Sequence, residues 1–112
     1  MRTFVFLAAI FLIPAVARSA SFDCKKAQTK TEKLICSDKD LDERDTELGK
    51  TYAKLLGALP KKEKEKAKKA QKAWLEAREE DCAKASDVAE CLAVQISLRS
   101  TELEKMQPES GS

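Results

Sequence analysis

Residues 38–59 read DKDLDERDTELGKTYAKLLGAL, and the spacing within them decides the fold. Leu41, Asp45, Leu48, Tyr52, Leu55 and Leu59 recur at steps of four and three, which puts them on one stripe of an α-helix. Asp38 is placed to cap that helix, and Gly57 and Pro60 end it near Leu59. Five of the six stripe residues are apolar or aromatic. Asp45 is the exception.

On the amino-terminal side, Thr29 and Glu32 have the spacing of a capping box, with Thr29 as N-cap and Glu32 reaching back, which predicts a short helix through Cys36. On the carboxy-terminal side a third helix is predicted from about Lys62 to Ala83. It brings Ala67, Ala70, Gln71, Trp74, Ala77 and Arg78 to one side, and Glu65 and Lys69 are spaced as an i,i+4 pair. After Ser86 and Asp87 a fourth helix carries Leu92, Ile96, Arg99, Leu103 and Met106 as its stripe, ending before Pro108. Residues 108–112 read as a disordered tail.

Only three glycines and three prolines interrupt the chain. The expected fold is all-α: an antiparallel bundle of three long helices plus one short N-terminal helix. Heptad-like spacing could also serve a coiled-coil dimer, but the breaks at Pro60 and Ser86 favour a chain folded back on itself as a monomer.

The first residues have a different character. Met1-Arg2-Thr3 is a short basic start, Phe4 to Val16 is apolar apart from Pro14, and Ala15-Val16-Ala17 has the small-x-small form of a signal-peptidase site. Residues 1–17 therefore read as a secretory signal peptide, with cleavage sites available up to residue 20, and residues 21–107 as the folded domain. The apolar run is shorter than the ~20 residues that span a bilayer. Ser21-Phe22-Asp23 before Cys24 lacks the Leu and small residues of a lipoprotein processing site, so no membrane anchor is expected after signal removal. The expected location is the periplasm or the medium.

Four cysteines in a small exported chain predict two disulfides. Three pairings are available; Cys24 with Cys36 and Cys82 with Cys91 are favoured because each closes a short segment flanking a helix end. Zinc is the competing use of cysteine, but the chain has no histidine and no C-x-x-C, so neither a metal nor a cofactor is expected.

Without Arg2 the chain holds 20 basic and 19 acidic residues, so net charge names no partner. Distribution says more. Residues 38–47 hold six acids against Lys39 and Arg44, while residues 61–72 hold seven lysines against Glu63 and Glu65. Nucleic acid could bind those lysines, but export argues against it.

Asp45, Gln71, Arg78 and Arg99 fall on stripes that should face the core, where a charge is tolerated only when paired. If helices two and three turn near Pro60, residues whose numbers sum to about 121 lie opposite, which sets Asp45 within one turn of Arg78 and Tyr52 beside Gln71. A bidentate Asp45–Arg78 pair that fixes helix register is the structural interpretation. The functional one has these charges line a groove for a partner, and Trp74 has the same two interpretations, core anchor or exposed hot spot. No Ser-His or Cys-His dyad can form and no glycine-rich phosphate loop occurs, so no enzyme is expected and no catalytic residue is assigned.

Phe22-Asp23-Cys24 followed by Ala27, Thr29, Glu32, Ile35-Cys36, Leu41, Asp45, Leu48 and Tyr52 resembles the opening of the LprI-type lysozyme-inhibitor N-terminal domain. Gln71, Trp74, Arg78 and Cys82, then Cys91-Leu92 and Arg99, are similar to its second half. The resemblance implies an exported helical domain whose named representative inhibits lysozyme and is lipid-anchored. It points to a protein partner, a c-type lysozyme or another peptidoglycan hydrolase. Lysozymes of that type cleave with a pair of carboxylates in an open cleft. An inhibitor can present acid to the cleft rim or insert a cation between the carboxylates, which makes Asp38, Asp40, Asp42, Glu43 and Glu47, with Lys39, the candidate partner-binding residues. The plainer interpretation of the same acids is a solvated helix start favoured by the helix dipole. A separate possibility is an envelope binding module that holds an anionic cell-wall polymer through its lysine-rich helix.

Overall fold

The computed structural model describes residues 21–108. The leader assigned to residues 1–17, its cleavage region up to residue 20, and residues 109–112 of the tail lie outside them. A single 3-10 turn over Cys24–Lys26 leads into four helices: α1 (Lys30–Ser37), α2 (Lys39–Ala58), α3 (Lys61–Ala83) and α4 (Val88–Lys105). No strand occurs among the described residues.

Each helix starts where its sequence provides a cap. The Thr29 hydroxyl accepts from the Glu32 amide while the Glu32 carboxylate accepts from the Thr29 amide, completing the capping box. Asp38 accepts from the Leu41 amide at 3.1 Å and Asp87 from the Glu90 amide at 3.0 Å. α3 is the exception: it opens on Pro60 with no side-chain cap, which suits proline because it has no N–H to satisfy.

Both disulfides have the favoured pairing, Cys24–Cys36 and Cys82–Cys91. The first ties the 3-10 turn to α1, and the second closes the α3–α4 connection.

Two long-range hydrogen bonds reveal the helix directions. Arg44 donates to the Ser97 hydroxyl and Gln107 donates to the Thr51 carbonyl, so α2 and α4 run parallel, with α3 antiparallel to both. The main packing is α2 against α4, and α1 packs against all three long helices, chiefly α2. The hairpin of α2 and α3 expected from the turn at Pro60 is thus present in direction, but the core forms elsewhere. The reason lies in the side chains. The α4 stripe supplies Leu92, Ile96 and Leu103, whereas α3 has mainly Ala67, Gln71, Arg78 and Cys82 to bury. A helix with so little apolar surface gains less from burial than one with three large aliphatic groups.

Ile35, Leu41, Leu48, Leu55, Cys82, Leu92, Ile96 and Leu103 form the core. Several stripe expectations need correction. Ala70 and Ala77 are exposed, because the buried strip of α3 is one residue wide per turn and both lie on its flank. Met106 is 47% exposed, since α4 ends at Lys105 and carries it past the core. The ion pair of Glu65 is with Lys68 at 3.6 Å, not with Lys69.

Candidate functional site

The charged residues of α2 divide between two faces. Asp45 points inward and is fully buried. Arg78 of α3 meets it, also buried, with Nη1 3.5 Å from Oδ1. The contact is single and not the expected bidentate fork, because the other carboxylate oxygen is taken: Asp45 Oδ2 accepts from the Ser21 amide at 2.9 Å and from the Ser21 hydroxyl at 2.6 Å. Arg78 Nε is consequently buried with no hydrogen-bond partner among the described residues. Burial lowers the Arg78 pKa from its usual range, and the charges of Asp45, Glu79 and Glu32 oppose that shift.

Ser21 reaches Asp45 because position 49 is glycine. A Cβ on Gly49 would lie 2.8 Å from the Ser21 Cβ, and a helix-interior glycine otherwise costs about 1 kcal/mol relative to alanine. In the first turn of α1, the buried Thr31 hydroxyl donates to the Glu79 carboxylate and ties α1 to α3.

Beyond Arg78 the cluster continues along α3 and α4. The Trp74 ring, half-buried, has the Arg78 guanidinium 5.2 Å from its centroid and that of Arg99 at 5.8 Å, both within cation–π range. Arg99 donates Nε to Gln71 Oε1 at 2.9 Å and pairs with Glu102 at 3.0 Å. It does not bridge to Asp45, since Gln71 and Glu102 use its donors nearer at hand. Tyr52, half-buried on α2, has its pKa raised by desolvation. Arg99 counters that shift and Glu65 adds to it.

The outer face of α2 is different in kind. Lys39, Asp42, Glu43, Thr46, Glu47 and Lys50 line an open depression. Asp38 and Asp40 are not part of it: Asp38 caps its own helix, and Asp40 pairs with Arg44 at 2.9 Å. Of the six candidate partner-binding residues, four therefore share a surface and two serve α2 locally. Among the described residues no group of three or more Asp, Glu, Cys or His is arranged to hold a metal.

The parts that Ser21, Gly49, Thr31 and Glu79 play in this cluster were not among the sequence expectations. Gly49 carried a usable signal, as a glycine inside a strongly helical stretch four residues after the one acid on the core stripe.

Fold and site together define a small helical domain, stapled by two disulfides, with a buried Asp45–Arg78 ion pair inside and a separate charged surface outside. A family model described as lysozyme inhibitor LprI matches residues 24–107, and the chain belongs to that family. An uncharacterized protein of Rhizobium meliloti (strain 1021) is 34% identical to it, over 62% of this chain. The match covers 59% of that relative, so the chain spans about three fifths of the length of the curated relative it matches. No solved structure gives a significant match.

Proposed function

We propose that this protein is an exported inhibitor that binds a lysozyme-type glycan hydrolase and covers its cleft, without catalysing a reaction itself. Membership of the lysozyme-inhibitor family across residues 24–107 carries the proposal. Two disulfides suit an oxidising compartment, and no helix among the described residues is long and apolar enough to cross a membrane. Residues 1–17 act as the export signal, and the mature protein works as a monomer in the periplasm or outside the cell.

The outer face of α2 is the docking surface in this proposal. Asp42, Glu43 and Glu47 meet the basic rim of the hydrolase, while Lys39 is placed to approach a catalytic carboxylate. In a cell-wall turbidity assay, micromolar mature protein is expected to slow lysis by a c-type lysozyme. Unchanged lysis at that excess removes this target.

A second use of the surface has its own support. Lys61, Lys62, Lys66 and Lys69, with Glu65 among them, surround a depression on the exposed first part of α3, and the excess of lysine suits an anionic polymer. Retention on peptidoglycan or lipopolysaccharide should then weaken steeply between low and high salt. Retention that ignores salt rejects it.

A further inference from the structure

Ser21–Cys24 has a fixed point at each end, and Phe22 between them packs against the core. At one end the Ser21 amide and hydroxyl both bond to Asp45 Oδ2, over the notch left by Gly49. At the other, Cys24 is joined to Cys36 of α1. Phe22 and Cys24 pack against the rim of the core, but the fully buried side chains all belong to α1, α2, α3 and α4.

The two disulfides differ in what reduction would demand. Cys82 is fully buried within the core cluster, beside Leu92 and Ile96. A thiolate cannot reach its sulfur, and attack on Cys91 would expel the Cys82 thiolate into apolar surroundings, where it is a poor leaving group. Cys24 and Cys36 are both only partly buried, so either sulfur can be attacked and either can leave toward water.

We propose that Ser21–Cys24 is a redox-latched strap, released from α2 by thiol–disulfide exchange at Cys24–Cys36 while the helical bundle and Cys82–Cys91 stay intact. The reductant is a dithiol, of the thioredoxin-like class in a cell and dithiothreitol in the test tube. Its first thiolate attacks one sulfur of the pair and the S–S bond breaks. The departing sulfur takes up a proton, and the second thiolate of the reductant resolves the mixed disulfide. Two electrons pass to the protein, Cys24 and Cys36 end as thiols, and the dithiol ends as a disulfide.

Release has a defined consequence inside. Asp45 Oδ2 loses both Ser21 donors, and the buried Arg78 Nε lacks an acceptor in the closed form. Asp45 then turns to Arg78 and the single contact becomes a two-point pair. Strap and arginine thus compete for one carboxylate.

The test begins with the oxidised mature protein. It is exposed to stepwise dithiothreitol, alkylated and mapped by mass spectrometry, with hydrogen exchange followed in parallel. Cys24 and Cys36 are expected to label at least about tenfold faster than Cys82 and Cys91. Exchange of the amides of residues 21–29 should rise by about tenfold or more while the centres of α2 and α4 keep their protection. In nitrogen-15 spectra the Arg78 Nε–H signal should move and become protected. Simultaneous labelling of all four cysteines overturns the proposal, as does loss of protection in α2 and α4 together with the strap. The double substitution Cys24→Ser with Cys36→Ser should reproduce the released spectrum without reductant. A variant that keeps the strap protected, or that fails to fold, also overturns it.

Discussion

The two faces of α2 carry the same kinds of side chain under opposite rules. On the inner face Asp45 is shut away from water, and its two carboxylate oxygens are taken up by Arg78 and Ser21. On the outer face Asp42, Glu43 and Glu47 stand in solvent beside Lys39 and Lys50, where each charge costs the fold little and contributes little to it. The inner charges are therefore available to fix register between helices, and the outer ones are not needed for it. The same contrast runs along α3, where residues 61–70 bury only Ala67 while residues 71–83 bury Gln71, Arg78 and Cys82.

The strongest way to break this comparison is to remove the inner carboxylate. Asp45→Ala leaves the buried Arg78 guanidinium uncompensated and strips Ser21 of its acceptor, so a loss of about 3–5 kcal/mol is expected in urea denaturation. A loss below about 1 kcal/mol would mean that water already reaches the pair.

Gly49→Ala sharpens the boundary between the faces. The new methyl group collides with Ser21, and the helix gains about 1 kcal/mol of propensity in return, so overall stability should change little. The strap should nevertheless lose its hydrogen-exchange protection. A strap that stays protected would show that Ser21 can shift without leaving Asp45.

Charge reversal on the outer face, Glu43→Lys with Glu47→Lys, should alter stability by no more than about 0.5 kcal/mol per site. Inhibition of lysozyme should fall by at least about tenfold if this surface docks, since like charges then face the basic rim. Stability and inhibition falling together would assign these acids to the fold.

The smallest effect belongs to Tyr52, at the edge of the buried cluster. Its pKa is raised above 10.0 by burial, so the folded state holds the phenolic proton more tightly than the unfolded chain does. The associated stability is complete below pH 10 and is lost as pH rises through the raised value. Tyr52→Phe should flatten that part of the alkaline stability profile and leave neutral pH almost unaffected.

Much of this molecule was legible from its residues. Thr29 with Glu32, and Asp38, announced helix starts because a cap is a local hydrogen bond, decided within a few residues. The core stripes of α2 and α4 followed from side-chain periodicity, whereas short loops at helix ends favoured one of three disulfide pairings and the folded chain selected it. The Asp45–Arg78 encounter could be counted from the turn at Pro60, since two antiparallel helices advance at the same rise per residue.

Other features needed the chain to be folded. That α4 and not α3 is the main neighbour of α2 depends on how three helices share one limited supply of apolar surface, a choice no single stripe encodes. Ser21 sits 24 residues from Asp45, and its claim on that carboxylate reduced the expected two-point pair with Arg78 to a single contact. Periodicity shows which residues face inward, because that is a property of one helix. Which inward groups satisfy one another is settled only when separate segments compete for the same buried atoms.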